Sequence, residues 1–346
     1  MFNKKNAFLG FLLTIFFISF IHIVVESKKG NELNIYSGRK SHLIKPLIDE
    51  FEKQTKIKTN LVTGKSDEFI ERLKLEKNNP QADILLTTDI ARLSRAKNND
   101  LFKIINSKIL KKNISPKYIS KDNDWFGLSV RARPIIYSNE RVDPKQLKNY
   151  EQLSEKKWKN KICMRSSNNV YNQSLISYMI LNLGKEKAEK WLKNIVENFA
   201  RKPYGGDRDQ IKAIANGQCD ITIANTYYLA NMLNSKNKKD RDAAKKVSIF
   251  WPNQDTFGAH INLSGAGIIK GSKNYKNAVI FLEFLSSKQA QEIYTKNINE
   301  YSIRNDVNPS KTVAKFGEFI SDDSKLSKIG TKIKIGIYLA SKYNWR

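Results

Sequence analysis

Few residues of this sequence can build the commonest metal and catalytic centres. The 346 residues include three histidines and two cysteines, which are too few for a zinc finger, a cysteine-ligated iron–sulfur cluster or a histidine-rich metal site. The sequence also lacks a GxxxxGKS/T motif and a GxGxxG motif after a strand, the usual phosphate-binding loops. No Ser–His–Asp or Cys–His arrangement is evident. We therefore expect a protein that is not an enzyme.

Acidic residues are scarce beside basic ones. The chain carries 61 Lys and Arg against 34 Asp and Glu, a formal net charge of +27. A charge of this size is common in nucleic-acid-binding proteins, but the basic residues here are scattered and form no dense tract. We interpret them as a compositional bias and expect no nucleic-acid partner. A basic protein that binds nucleic acid or a membrane surface stays open as an alternative.

Long apolar runs are absent after the N-terminus. Lys4 and Lys5 precede an uninterrupted apolar segment at residues 7–25, a pattern that is typical of an export signal. The segment is also close to the length that spans a bilayer, so residues 1–30 are predicted to be either a signal peptide or a membrane anchor. Both alternatives place the rest of the chain in the periplasm or an equivalent extracytoplasmic space.

The remaining chain is long enough for about two domains. Short apolar runs alternate with amphipathic helical patterns, which favours an α/β fold with parallel strands. Two long extended runs, residues 127–137 and 258–270, enclose a domain-sized insertion. This arrangement predicts two lobes that are joined by hinge crossovers and close on a ligand held between them. The predicted first lobe comprises residues 31–130 plus about 264–300, and the second lobe comprises residues 131–263 plus about 301–346.

The two cysteines each stand at the start of a predicted strand. Cys163 lies in the strand-like run 161–164, and Cys219 opens the run 219–223. If these strands are parallel neighbours, their first residues meet and the geometry permits a disulfide. An extracytoplasmic location allows such a bond to persist. The alternative is two buried free thiols.

Three tyrosines follow predicted strands where a helix is about to begin. Tyr227 and Tyr228 come directly after the strand 220–224, and Tyr171 follows the run 161–164 at the end of a short loop. Ligand-binding residues of an α/β sheet emerge at such strand ends. We therefore expect three phenol groups at equivalent strand ends of one lobe.

A phenol, whose pKa is near 10, becomes a metal ligand only when a strong cation displaces its proton. Ferric ion is the biological cation most able to do this, because it is small, hard, highly charged and favours anionic oxygen. Tyrosines also commonly pack a lobe or line an apolar cleft, and that alternative stays open. A further alternative is the same fold binding an organic solute such as a polyamine, thiamine or a phosphonate.

Segments spread over essentially the whole mature chain resemble the ferric-iron-binding extracytoplasmic proteins of ABC iron importers. The resemblance rests on NVYNQSL at 169–175, ANTYY at 224–228, YSGR at 36–39, GLSVRARPIIYS at 127–138 and EYSIRNDV at 300–307. It implies a two-lobe periplasmic-binding-protein fold of a type II-like kind, with Fe(III) coordinated by Tyr171, Tyr227 and Tyr228. It also implies an ABC permease and ATPase as partners. We expect the protein to be a monomer.

The first-lobe ligand departs from the pattern of that family. Relatives often place a His–Tyr or similar ligand pair just after the YSxR motif, whereas this sequence has Lys40-Ser41 and then His42. Three alternatives follow: His42 substitutes as a ligand, a water or small anion fills the position, or Arg39 and Arg131 hold such an anion. For His42 we favour an ordinary surface position at a helix start.

Other polar side chains near the tyrosines are candidates to hold a co-bound anion. Ser166, Ser167 and Asn225 lie beside the tyrosine motifs. Their hydroxyl and amide groups can donate hydrogen bonds to an anion or an ordered water. The alternative is that they only cap turns.

The export prediction can be tested by mass. If residues 7–25 belong to a cleaved signal, the mature protein should begin between about Ser27 and Glu32, shortly after the apolar region. Intact-mass measurement of protein isolated from its native envelope checks this expectation. A mass that retains Met1 would instead establish a membrane-anchored protein.

Overall fold

The described part of the chain, residues 31–323 and 325–346 of a computed structural model, alternates strands and helices. The predicted export segment lies outside the described residues. The strands are β1 (Glu32–Ser37), β2 (Lys58–Thr63), β3 (Ile84–Thr88), β4 (Phe126–Ala132), β5 (Ile135–Ser138), β6 (Ile221–Ile223), β7 (Val247–Phe250), β8 (Ala259–Ile268) and β9 (Ser321–Asp322).

The α-helices connect these strands or cover their faces. They are α1 (Ser41–Thr55), α2 (Ser66–Leu75), α3 (Ile90–Asn98), α4 (Lys108–Asn113), α5 (Val170–Leu183), α6 (Lys185–Glu197), α7 (Asp207–Ala215), α8 (Thr226–Leu233), α9 (Lys238–Lys245), α10 (Tyr275–Leu285), α11 (Lys288–Ile293), α12 (Lys311–Ala314) and α13 (Ile329–Lys342). Within residues 31–323 and 325–346, the helices are all too short or too polar to span a membrane.

The strands form two sheets. The larger has the order β2-β1-β3-β8-β4, with β9 beside β8, and the smaller has the order β6-β5-β7. Strand β1 is parallel to β2 and β3, as the sequence pattern predicts, whereas β8 is antiparallel to β3 and β4. Strand β4 leaves the larger sheet for the second lobe and β8 returns from it at the same end, so the two strands must run in opposite directions.

Each sheet has its own hydrophobic core. The first lobe buries side chains from residues 33–132 and 261–303, and the second lobe buries side chains from 135–247. The C-terminal segment divides between the lobes, whereas the sequence pattern predicts residues 301–346 wholly in the second. Ile329 packs in the first core and Leu339 in the second, because α13 lies across both lobes, against α3 and α5.

The crossings between the lobes differ in detail from the two predicted extended runs. The run 127–137 is broken at Arg133-Pro134, so that β4 belongs to the larger sheet and β5 to the smaller one. Proline has no backbone N–H to donate to a ladder, which suits it to this break. The second crossing is the loop before β8, and all of β8 lies in the larger sheet. The lobe boundaries therefore fall near Arg133 and Gly258 rather than at 131 and 263.

Two glycines of the fully buried strand β8 allow neighbouring groups to pack closely against it. A Cβ atom on Gly265 would lie 2.4 Å from the Phe126 carbonyl oxygen, and one on Gly267 would lie 2.5 Å from the Phe102 ring. Neither distance is sterically tolerable, so both positions require glycine. The SGAG sequence thus serves close packing in the central strand.

A disulfide joins the segments that contain the two cysteines. The predicted strand 161–164 is not a regular strand; Ile162 makes only isolated bridges, to Phe199 and Ile221. The bridge to Ile221 is parallel, so the backbones run side by side as the disulfide requires. Cys163 and Cys219 are bonded with their Cα atoms 5.8 Å apart, within the usual range for a disulfide.

The disulfide should stabilise the second lobe. It closes a loop with a sequence separation of 56 residues, so the double variant Cys163→Ser/Cys219→Ser should lose about 2–4 kcal/mol of unfolding free energy. Urea unfolding of the exported protein, with and without a reductant, measures this loss. Two reactive thiols per chain in denatured, unreduced wild-type protein would contradict the bond.

Candidate functional site

Two helix N-termini in the second lobe present the three tyrosines. Tyr171 is the second residue of α5, and the side chain of Asn169 caps this helix by accepting a hydrogen bond from the Tyr171 N–H at 2.9 Å. Tyr227 and Tyr228 lie in the first turn of α8, directly after β6. Two residues separate helix α8 from β6, whereas α5 follows a short turn at residues 167–169.

The three phenols converge. The hydroxyl oxygens of Tyr171 and Tyr227 are 3.5 Å apart. The ring centroids of Tyr227 and Tyr228 are 4.2 Å apart. All three line a cavity of about 320 Å³ between the lobes, whose other walls include Arg39, Lys40, His42, Thr88, Arg208, Asn231 and Glu300.

Three guanidinium groups surround the Tyr171 ring. The Cζ atoms of Arg131, Arg165 and Arg133 lie 4.9, 5.5 and 6.0 Å from its centroid. Arg131 and Arg133 are both 1% exposed. Water is excluded from these groups, so their positive charge acts on the site with little screening.

Two buried carboxylates balance most of this positive charge. Asp207 accepts a hydrogen bond from Arg133 at 3.0 Å and a longer one from Arg165 at 3.5 Å. Asp89 faces Arg131, but its nearest oxygen is 3.7 Å from the guanidinium nitrogen. Three cations and two carboxylates therefore meet beneath the phenols, and the excess positive charge is next to Tyr171.

Burial keeps Tyr227 and Tyr228 protonated near neutral pH. Burial, together with the neighbouring Tyr171, raises the pKa of Tyr227 well above 10. Burial also raises the pKa of Tyr228, and Tyr171 and Asp207 add to the effect. A cation that binds these oxygens must therefore displace protons, which only a strong Lewis acid can do near neutral pH.

The first-lobe wall contains a buried ion pair that sequence analysis does not identify. Arg39 donates to Glu300 at 2.6 and 3.3 Å and to the Ser129 hydroxyl at 2.9 Å. Burial would raise the pKa of Glu300, but Arg39 and Arg131 outweigh it and hold that pKa below its usual range. The two residues are 261 positions apart, so no local motif links them. With its guanidinium committed to Glu300, Arg39 has little capacity left for an anion.

The other sequence-predicted first-lobe residue, His42, is exposed and lies in the first turn of α1. It borders the cavity together with Lys40, and Arg208 of the second lobe approaches the same space. Among the described residues, no group of three or more His, Cys, Asp or Glu side chains is arranged to hold a metal ion. Arg131 lies beneath the Tyr171 ring rather than in the cavity wall.

Three further predicted residues have partners away from the cavity. The Ser166 hydroxyl accepts from the backbone N–H of Asn168 at 3.1 Å, and the Ser167 hydroxyl donates to the Trp345 carbonyl oxygen. Asn225 accepts from Arg133 at 3.4 Å, and its buried amide nitrogen has no partner. The two serines thus serve local turns and the C-terminus, whereas Asn225 stays close to the arginine cluster.

Two α/β lobes, hinge crossovers and a cavity between facing strand ends define a two-lobed periplasmic solute-binding protein, which confirms the fold expected from the sequence. The chain belongs to the family described as bacterial extracellular solute-binding proteins, whose model matches residues 46–320.

Individual relatives cover nearly all of the chain. Iron uptake protein A1 of Synechocystis is 42% identical over 316 residues, which cover 91% of this chain and 88% of that protein. The structure of a Trichodesmium protein (IdiA, FutA) in complex with iron and citrate ligands is 42% identical, with a TM-score of 0.87 over 91% of this chain and 100% of that chain. The ferric binding protein from Campylobacter jejuni is 40% identical, with the same TM-score and coverage.

The buried pair Arg39–Glu300 should be a major source of first-lobe stability. Glu300→Gln leaves the Arg39 charge buried without a counter-ion, so we expect a loss of about 3–5 kcal/mol of unfolding free energy. Because Glu300 has a lowered pKa in the folded protein, its stabilisation is present above the unfolded pKa of about 4.3 and is lost as the pH falls below it. Chemical unfolding at pH 7 and at about pH 3 measures both effects.

A nearby glutamate provides the matched control. Glu292 is partly exposed and pairs with Lys296 at 3.6 Å. Glu292→Gln should therefore change stability by less than about 0.5 kcal/mol. Equal effects of the two substitutions would show that the Arg39–Glu300 pair is not special.

Proposed function

We propose that this protein binds Fe(III) outside the cytoplasmic membrane with the phenolates of Tyr171, Tyr227 and Tyr228, and delivers it to the permease and ATPase of an ABC importer. The observation that carries the proposal is the convergence of the three phenols in the inter-lobe cavity. The named functions of the relatives, iron uptake and ferric ion binding, support it. The protein acts by binding and release, without catalysis.

The charges of the site suit a ferric ion. Three phenolates neutralise its 3+ charge, so the complex itself adds no net charge to the cleft. Ferric ion prefers anionic oxygen ligands, and the three tyrosines offer oxygens that a strong cation can convert to phenolates. A divalent cation would gain less from the same phenolates and displace their protons less readily.

The first lobe fills the remaining coordination positions of the ion only indirectly, by holding a small ligand there. Its side of the cavity presents Lys40 and His42, and Arg208 approaches from the second lobe. These groups are suited to hold a small anion or water on the ion, rather than to supply an anionic ligand of their own. We assign His42 a lower priority as a ligand because it is exposed at the start of α1.

The basic residues of the cavity wall also favour a second candidate ligand. Lys40 and Arg208 would also attract an organic anion such as a phosphonate. They would repel a cationic solute such as a polyamine or thiamine. Three convergent phenols are not needed for a phosphonate, so ferric ion remains the better fit.

Phenolate-to-iron charge transfer gives a direct test. Wild-type protein with added ferric citrate should turn red to purple. Tyr171→Phe, Tyr227→Phe and Tyr228→Phe each remove one anionic ligand but keep the ring, so each should shift or bleach the band. We expect affinity to fall at least about 100-fold, because losing only an outer partner of a metal ligand typically costs 10–100-fold. Visible spectra and competition with citrate measure both quantities.

A tyrosine far from the cavity provides the control, and the pH dependence of iron binding provides a further test. Tyr338 is 62% exposed on α13, so Tyr338→Phe should match wild type in colour and affinity. Iron binding should weaken as the pH falls, because protons compete with iron for phenol oxygens whose pKa values are raised. If all three cavity variants kept the wild-type band and affinity, the tyrosines would be packing residues and the organic-anion candidate would replace ferric ion.

A further inference from the structure

Two side-chain hydrogen bonds join the lobes one helical turn behind the tyrosines. Ser174 lies three residues after Tyr171 on α5, and its hydroxyl donates to an Asp89 carboxylate oxygen at 2.6 Å. Asn231 lies four residues after Tyr227 on α8, and its side-chain oxygen accepts a hydrogen bond from the side-chain amide of Asn299 at 2.8 Å. Residues three and four apart share a helix face, so each bond holds the face that carries a phenol.

The first-lobe partner in each bond has an unusual backbone conformation. Asp89 has φ +90° and Asn299 has φ +61°, values that few residues other than glycine adopt. Asp89 is the single residue between β3 and α3. Asn299 ends a π-helical turn, Tyr294–Ile298, a structure that is frequent at functional sites. Strain of this kind persists where surrounding contacts enforce it.

Asp89 is fixed from both lobes and is itself fully buried. Its carboxylate accepts from the Ala91 N–H at 3.0 Å, which caps α3, and from the Asn262 amide at 2.9 Å on β8. The oxygen that accepts from Asn262 also faces Arg131 at 3.7 Å. The Arg131 guanidinium lies over the Tyr171 ring. Asp89 therefore acts on that phenol in two ways, through Arg131 and through helix α5, which carries Ser174.

Asn299 makes the equivalent connection for α8. Its amide oxygen accepts from the Ser310 hydroxyl at 2.6 Å, so both ends of its side chain are engaged. The next residue, Glu300, pairs with Arg39 in the first-lobe cavity wall. The helix that carries Tyr227 and Tyr228 is thereby connected to the side of the cavity that faces the phenols.

We propose that Asp89 and Asn299 are positioning residues that latch the two tyrosine-bearing helices to the first lobe. The latch couples closure of the lobes to the convergence of the phenols. Its effect on iron rests on the proposed function, whereas the mechanical link between the lobes does not. Neither residue touches the bound ion; each acts through the helix that it holds.

The most specific variants replace the second-lobe partner in each hydrogen bond. Replacing Asp89 itself would also remove the cap of α3 and disturb folding. Ser174→Ala deletes only the bond to Asp89, and Asn231→Ala deletes the bond to Asn299. Ser177→Ala is the matched control, because Ser177 is buried on the same helix but its hydroxyl donates to the Gln173 carbonyl oxygen of that helix at 2.8 Å.

With iron bound, the latch predicts a change in the phenolate band. Ser174→Ala should shift the charge-transfer maximum and release iron to excess chelator roughly tenfold faster, as expected for loss of a hydrogen bond to a charged group. The double variant Ser174→Ala/Asn231→Ala should release iron faster still, whereas Ser177→Ala should match wild type. A Ser174→Ala protein with the band and release rate of Ser177→Ala would overturn the proposal.

Without iron, the latch predicts a change in shape. Small-angle scattering of the iron-free double variant should give a larger radius of gyration than iron-free wild type or Ser177→Ala, because the lobes separate more widely. Equal radii would overturn the link between the lobes. If the wild-type protein forms no coloured ferric complex, the proposed function is wrong and the scattering comparison alone decides the latch.

Discussion

The buried charges around Tyr171 constrain the rest of the structure. Ions removed from water are tolerated only when partners replace the lost hydration. Arg133 meets this need with Asp207 from α7 and Asn172 from α5, and Arg131 with Ser264 from β8. The strand that crosses between the lobes is therefore bonded to both of them. The same groups that satisfy these arginines place the phenols in the cleft.

This constraint also explains the asymmetry of the cavity. In the complex that we propose, the second lobe supplies phenols that become anionic when the cation displaces their protons. The first lobe supplies basic groups, and the buried carboxylate Glu300 in its wall is committed to Arg39. Charge neutrality in that complex is reached by the ion and the phenols. The first lobe then closes the cleft and retains the small ligand that completes the coordination of the ion.

Local patterns in the sequence predict most elements of this fold. The alternation of strands and helices and the placement of Tyr171, Tyr227 and Tyr228 at helix starts follow from local periodicity, because these signals depend on near neighbours. The short strand expected at 161–164 reduces to isolated bridges, since the pairing of four residues depends on which segments lie beside them. The antiparallel direction of β8 departs from the parallel strands expected in general, because it depends on how the chain returns from the second lobe.

The sequence by itself predicted the two-lobe class, from two extended runs that enclose an insertion, and the positions of the three phenols near helix starts, since helix signals come from near neighbours. Only the tertiary structure decided which groups surround those phenols. Glu300 meets Arg39 across 261 positions, and Asp89 meets Ser174 across 85. Asp207 reaches Arg133 across 74 positions. A buried charge selects its partner by distance and geometry in space, and no local periodicity of the sequence records that choice.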